Sequence, residues 1–281
     1  MRIWKRLIVL THKNPLMVVG IVVSLIWFAI SIAPQLVAPY SPFEQDISSR
    51  LESPNRGHLF GTDQLGRDVL TRVLYGGRIS LPAGLIVVLI ATLVGTIVGG
   101  IAGYVGGAWD EILMRVTEVF MAFPIIILAM AIAAALGPST RNAIISMVAV
   151  WWPNYARMVR SLVLSVKENE YVESARAIGA SRIYILVRNI LPNCVAPAIV
   201  MATLDIGNAI LIFASMSFLG LGPEPSAAEW GRMVADGTSY FDQWWISTFP
   251  GIAIFTVVLS FNLIGDGIRD LIDPRMRRLT A

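Results

Sequence analysis

Charge is what this sequence has least of. Only 15% of its 281 residues are Asp, Glu, Lys or Arg, against roughly a quarter in a soluble globular domain. The deficit excludes a water-facing surface over most of the chain. A hydrophobic content of 56% and a mean hydropathy of +0.68 take its place. Cysteine is nearly absent: Cys194 stands alone, which excludes an intrachain disulfide and a thiolate cluster for zinc or iron–sulfur. His12 and His58 are isolated, and neither falls within a predicted span where it could serve as a base. His-Glu-x-x-His and Gly-x-Ser-x-Gly are missing, so intramembrane zinc proteolysis and serine acyl transfer find no support. Gly-x-x-x-x-Gly-Lys-Ser/Thr is missing too, so the chain carries no phosphate cradle for ATP. A net charge of +3 is too small to suggest nucleic acid as a partner. These absences imply a protein that is not an enzyme and has no metal site or cofactor of its own.

What the sequence does have is long apolar runs. A helix needs about 20 apolar residues to cross a bilayer, and largely uncharged stretches predict six crossings, the third with Arg115 and Glu118 in its first turns, the fourth with Arg157 and Arg160 in its last turns and the fifth with Asp205. They fall near residues 16–37, 81–103, 112–136, 142–166, 196–218 and 245–264. The first follows Arg2, Lys5, Arg6 and Lys13 as a secretory signal would. Its uncharged run, 14–43, is longer than a signal's apolar core and ends in no small-x-small cleavage site, so it reads as a retained span. Eight Trp suit two membrane interfaces. The fold expected is an all-α polytopic membrane protein.

Six spans put both termini on one side. With the N-terminus inside, 15 of 22 Lys and Arg lie in cytoplasmic segments, as the positive-inside rule requires. The first outer loop is the exception, with five Arg between Arg50 and Arg78. It also carries Glu44, Asp46, Glu52, Asp63 and Asp68, which predicts a small folded element with paired charges. The chain divides into a cytoplasmic tail with the first span (1–40), an extracytoplasmic loop with an amphipathic helix (41–80), and a five-helix core (81–281). Gly95, Gly99, Gly100 and Gly103 form a small-residue stripe for close helix approach, either within the chain or at a subunit interface.

The loop 167–193 is too polar to cross, yet it is patterned. Tyr171, Ala175 and Ile178 fall at i, i+4, i+7 and predict one helical face. Glu170, Glu173 and Arg176 fall on another. Gly179 supplies a residue tolerant of positive φ to end the helix. Ser181 can cap a second helix, and Pro192 can stop or kink it. A short amphipathic helix of this kind suits a groove on a partner, or simply the membrane surface.

Glu173-Ser174-Ala175, three residues, Gly179, nine residues, Asn189, one residue, then Leu191-Pro192 resembles the Glu-Ala-Ala loop of ABC-importer permeases. Ser174 stands where that pattern has Ala, and Asn189 where it has Ile. The outer-loop run from Leu59 to Asp68 continues into Gly77-Arg78-Ile79-Ser80-Leu81 and looks like the peptide and nickel permease family, in its second, C-type subunit. So do the segment Ala102 to Gly107, the segment Ser217 to Gly222, Glu229-Trp230-Gly231, and the stretch from Phe261 to Gly267 with Arg269-Asp270 and Asp273-Pro274. The resemblance covers nearly the whole chain and is closest to dipeptide and oligopeptide permeases.

The resemblance implies a type I ABC-importer architecture in a bacterial or archaeal cytoplasmic membrane. It implies a homologous second permease, two cytoplasmic ATPases that bind ATP and magnesium, and an external binding protein. The cargo implied is a dipeptide or short oligopeptide; a nickel chelate is the alternative within the family. The loop would be the coupling helix, with Glu170, Tyr171, Glu173, Ser174, Ala175, Arg176, Ile178, Gly179, Ala180 and Ser181 at the ATPase. A channel or secondary carrier is the alternative of another class. It would leave the 167–193 pattern unexplained, with Asp205 as its only buried acid.

Charge in lipid is costly, so polar residues within spans are candidates for the pathway. Asp205 leads, with Asn208 one turn on; Glu118 and Asn154 are weaker. Asp205 could equally pair with an Arg to lock helices. Trp151-Trp152-Pro153 predicts a kink and an aromatic pair that could narrow a pathway. In the outer loop Asp63 is expected to cap a helix over 67–74. Asp63, Arg67 and Asp68 could instead dock the binding protein or seal an outer gate.

Overall fold

The computed structural model describes residues 14–272. The basic tails counted toward orientation, at 2–13 and 275–278, lie outside them. Among the described residues there is no sheet, only one antiparallel bridge between Thr62 and Asp68.

Helix α1 (Pro15–Ile32) begins with Pro at its first position, where the missing N–H costs nothing. It lies along the last helix, α9 (Trp245–Ile272). Gly20 permits the approach: a Cβ there would meet the Ser260 carbonyl at 2.6 Å. Trp27 Nε1 donates to Thr256 Oγ1 at 3.1 Å.

Helix α2 (Val69–Val105) is 37 residues long, about 55 Å. It merges the surface helix expected over 67–74 with the span expected over 81–103. The boundary drawn at 80/81 therefore falls inside a single helix. Gly76 and Gly77 do not break it because both are covered, Gly76 by the Trp230 indole and Gly77 by Ser31.

The crossing expected at 112–136 is not one helix. It is α3 (Gly107–Met121) and α4 (Ile125–Leu136), bent by 87°. Pro124 sits at the bend: it disfavours the helical region for Phe123 before it and itself has ψ 126. α5 (Thr140–Val166) is capped by Ser139 Oγ, which accepts from Asn142 N at 3.0 Å. It continues through Pro153, where an interruption was expected.

After the short α6 (Glu170–Ala177), α7 runs unbroken from Arg182 to Phe218. The expected second loop helix and fifth span are again one element, and Pro192 does not stop it. Ahead of Pro192 the helix widens into a π-type segment, Ile185–Ile190, where Leu191 N donates to Leu186 O. The wider turn eases the collision between a proline ring and the preceding carbonyls. α8 (Trp230–Gly237) lies between α7 and α9.

α1, α2, α7 and α9 are long and apolar enough to cross a membrane, and the bent pair α3/α4 makes five. α5 has the length for a sixth, at 27 residues. It is the least apolar of the six. Gly95, Gly99 and Gly103 of α2 lie against its backbone: Cβ atoms there would come within 2.7 Å of Trp152 O, 2.2 Å of Ala156 O and 3.0 Å of Arg160 O. The glycine stripe is thus an intrachain seam.

Candidate functional site

The loop after α5 is built as a turn chemist would expect. Glu170 and Glu173 sit in the first turn of α6 and Arg176 in its last, each favourable to the helix dipole. Gly179 takes φ +81. Around it Ala180 N donates to Ala175 O and Gly179 N to Arg176 O, both at 3.1 Å, the paired bonds that close a helix C-terminus. Ser181 Oγ then accepts from Tyr184 N at 3.3 Å and starts α7.

The inward face differs from the one expected. Val172, fully buried, and Ala175 pack on Val159, Val163, Ile185, Ile190 and Cys194. Tyr171 is half exposed, and its hydroxyl accepts from Asn193 Nδ2 at 3.1 Å. Ile178 lies past the last turn and is 85% exposed. Tyr171, Ala175 and Ile178 therefore do not share a packed face. Glu170, Glu173, Ser174 and Arg176 are exposed, and Ala180 is half-buried. Val172 escaped the sequence reading because one valine among polar residues is a weak signal. Asn189 does not fill the apolar position of the Glu-Ala-Ala pattern. The wide turn carries Ile190 into the core instead, fully buried, while Asn189 stays partly exposed.

Asp205 meets α5, not an arginine. Its Oδ2 accepts from Trp151 Nε1 at 3.1 Å and from Tyr155 hydroxyl at 2.8 Å, two donors one turn apart. Trp151 is buried, Trp152 half-buried, and Asn208 exposed on α7. Tyr155 carried no signal in the sequence beyond its spacing of four from Trp151.

The outer loop folds into a cap. Asp63 Oδ1 accepts from the backbone N–H groups of Leu65 and Arg67, and Oδ2 takes Arg67 Nε at 2.6 Å. Asp63 thus shapes the turn, while Asp68 caps α2, accepting from Thr71 N at 2.7 Å and from His58 at 2.9 Å. The assignment of the cap to Asp63 is corrected on this point. Arg72 lies 3.6 Å from Asp63 and donates to the carbonyls of Pro42, Ser226 and Ala227. Arg232 pairs with Asp236 at 3.1 Å, and Arg67 lies 4.0 Å from the same carboxylate. Asp63, Arg67, Asp68 and Arg72 are each no more than 3% exposed.

Trp245 Nε1 reaches Thr62 O at 3.1 Å, and Trp230 Nε1 reaches Val73 O at 2.8 Å. Glu229 is fully buried and accepts from Ser80 Oγ, Gly231 N and Arg232 N. Burial pushes its carboxyl above the usual glutamate range. Arg72, Glu229, Trp230 and Asp236 have no assigned role in the sequence reading, because their partners lie far along the chain.

Comparison with known proteins gives this arrangement its context. The chain is 43% identical over 271 residues to the probable D,D-dipeptide transport system permease protein DdpC of Escherichia coli strain K12, covering 96% of this chain and 91% of that one. It is 44% identical over 273 residues to the dipeptide transport system permease protein DppC of the same strain (95% and 91%). It is 43% identical over 275 residues to DppC of Alkalihalophilus pseudofirmus (98% and 90%). By fold it matches a chain of the MetNI methionine ABC transporter, solved in inward-facing conformations, with a TM-score of 0.60 at 17% identity. That match covers 72% of this chain and 97% of the other. A family model matches residues 95–278, which include the 167–193 loop. This integral membrane protein belongs to the family of binding-protein-dependent transport system inner membrane components.

Proposed function

We propose that this chain is one of two permease subunits in an ATP-driven importer of dipeptides or short oligopeptides. The relatives at 43–44% identity, named for dipeptide transport over nearly their whole length, support the cargo class. The observation that carries the mechanism is the loop after α5. It is a rigid, exposed helix seated on a small core of its own, ended by a closed turn at Gly179.

In this reading α6 docks on a cytoplasmic ATPase, which binds ATP and magnesium. Glu173, Ser174 and Ile178 make the contact, with Glu170, Tyr171 and Arg176 flanking it, while Ala175, Ala180 and Ser181 hold the element in shape. ATP binding can move the permease only by favouring one of its conformations. An element stiffened at Gly179 and anchored by Val172 transmits that bias to α5 and α7, which it touches. The spans then rock about a path near mid-membrane, lined by Asp205 and Asn208 with Trp151 and Trp152 behind them. The termini and α6 face the cytoplasm. The buried cap of Asp63, Arg67 and Asp68 faces outward, where a binding protein delivers cargo.

Co-purification tests this. The chain, expressed with the permease and ATPase genes beside it and isolated through a tag, is expected to retain both. ATP hydrolysis is expected to rise with binding protein loaded with dipeptide, and not with binding protein loaded with a nickel chelate. Loss of every ATPase from a folded chain would sink the coupling assignment. Stimulation by the nickel chelate alone would move the cargo to that class.

A further inference from the structure

α2 and α7 run antiparallel, with Gly84 against Ile210 near one end and Gly100 against Leu191 near the other. Two cavities open end to end along this seam. The first, about 680 Å³, has almost wholly apolar walls, among them Leu85 and Leu89 of α2 and Val195 and Ile199 of α7. Along α7 it extends from Leu191 to Ile206, roughly 22 Å at 1.5 Å per residue. One leaflet supplies about half of a 30 Å hydrocarbon core, so the groove is long enough for an acyl chain.

The second cavity, about 670 Å³, follows where α2 ends. Ile101, Tyr104 and Val105 form one wall; Arg176, Arg182 and Ile183 form the other. Val105 and Ile183 are exposed despite being apolar, at 52% and 76%. Among the described residues neither Arg176 nor Arg182 is paired with a carboxylate.

An apolar trough at membrane depth thus leads to two uncompensated guanidiniums at the membrane boundary. A peptide in the trough would leave its backbone polar groups unpaired. A zwitterionic lipid would bring a phosphate already balanced by its own ammonium, leaving the two cations short of net negative charge, and free phosphate would leave the trough empty. We infer that the α2/α7 seam binds one anionic phospholipid, its acyl chain in the trough and its phosphate at Arg176 and Arg182. Basic pockets at the cytoplasmic ends of membrane helices suit such headgroups. The lipid would then buttress the base of α6, tying that helix to membrane composition. The site needs only that α2 ends at a membrane boundary, so it stands or falls separately from the peptide reading.

The test uses membranes containing the full chain co-expressed with its partner subunits. Phosphatidylglycerol carrying a diazirine on its acyl chain is added, irradiated, and the labelled peptides are mapped. Labelling is expected to concentrate on residues 85–96 and 191–206. Unlabelled phosphatidylglycerol should compete, and phosphatidylcholine and inorganic phosphate should not. Arg176→Gln with Arg182→Gln should weaken competition about thirtyfold. Ile199→Trp, which fills the trough and leaves both arginines, should abolish labelling of the seam. Equal labelling of every lipid-facing span would overturn the inference. So would a seam left unlabelled because the second permease covers it, competition by inorganic phosphate, or indifference to both variants.

Discussion

Arg72 shows what a buried charge demands of its neighbours. Its guanidinium sits beside Asp63 and holds three carbonyls from two distant loops. Arg72→Met would leave that carboxylate and those carbonyls short of a partner, at a cost of about 3–5 kcal/mol. Denaturant unfolding in detergent should show this loss. Arg115→Met, which breaks an exposed pair with Glu118, should cost no more than about 1 kcal/mol. Glu229 makes a pH-dependent prediction. Its folded-state pKa is raised by burial, so the folded protein binds this proton more tightly than the unfolded chain. The stability it lends is complete below the ordinary glutamate value and is lost as pH climbs through the raised one. Glu229→Gln should flatten that part of a melting-temperature profile against pH. Single residues were legible where local turn chemistry speaks, as at Gly179 and Ser181. They were illegible where a partner arrives from more than 150 positions away, as with Arg72 and Ala227.

At the scale of elements, the α2/α5 seam separates two adjacent glycines. A Cβ at Gly99 would meet Ala156 O at 2.2 Å, whereas one at Gly100 meets only Leu191 Cδ2 at 3.5 Å. Gly99→Leu should therefore push the helices apart and cost about 3 kcal/mol. Gly100→Ala should be neutral, or stabilising by up to about 1 kcal/mol through helix propensity. Parallel unfolding curves of the two variants check both. The crossings could be placed from charge-free runs, but their ends could not. Charge marks where a chain leaves lipid, not where a helix stops. Arg72 and Arg78 fall in the predicted outer loop segment, and Arg182 and Arg188 in the predicted cytoplasmic loop, yet the first two lie within α2 and the last two within α7. Proline disfavours a helical residue before it, but Pro82, Pro153, Pro197 and Pro250 carry the same cue inside continuous helices, so the break at Pro124 could not be singled out. A count of apolar positions passed over it.

For the molecule as a whole, Gly179 is where the proposed coupling can be tested without dismantling the fold. A Cβ there has open space around it, and only the φ of +81 resists. Gly179→Asp should cost about 1–2 kcal/mol of local stability and leave the spans intact. It should cut dipeptide uptake and binding-protein-stimulated hydrolysis at least about tenfold; uptake in proteoliposomes at wild-type levels would remove α6 from the coupling role. The outer cap carries a different consequence, for how the protein is made. Its halves come from opposite ends of the chain: Thr62 waits for Trp245, and Arg72 for Ser226 and Ala227. A ribosome adds about 5–20 residues per second, so the first half stands incomplete for some ten seconds or more. Throughout that interval Asp63 and Asp68 have only their local partners Arg67, Arg72 and His58, and Arg72 still lacks the carbonyls of Ser226 and Ala227. The cap closes only when the final crossing arrives, so its closure marks completed insertion.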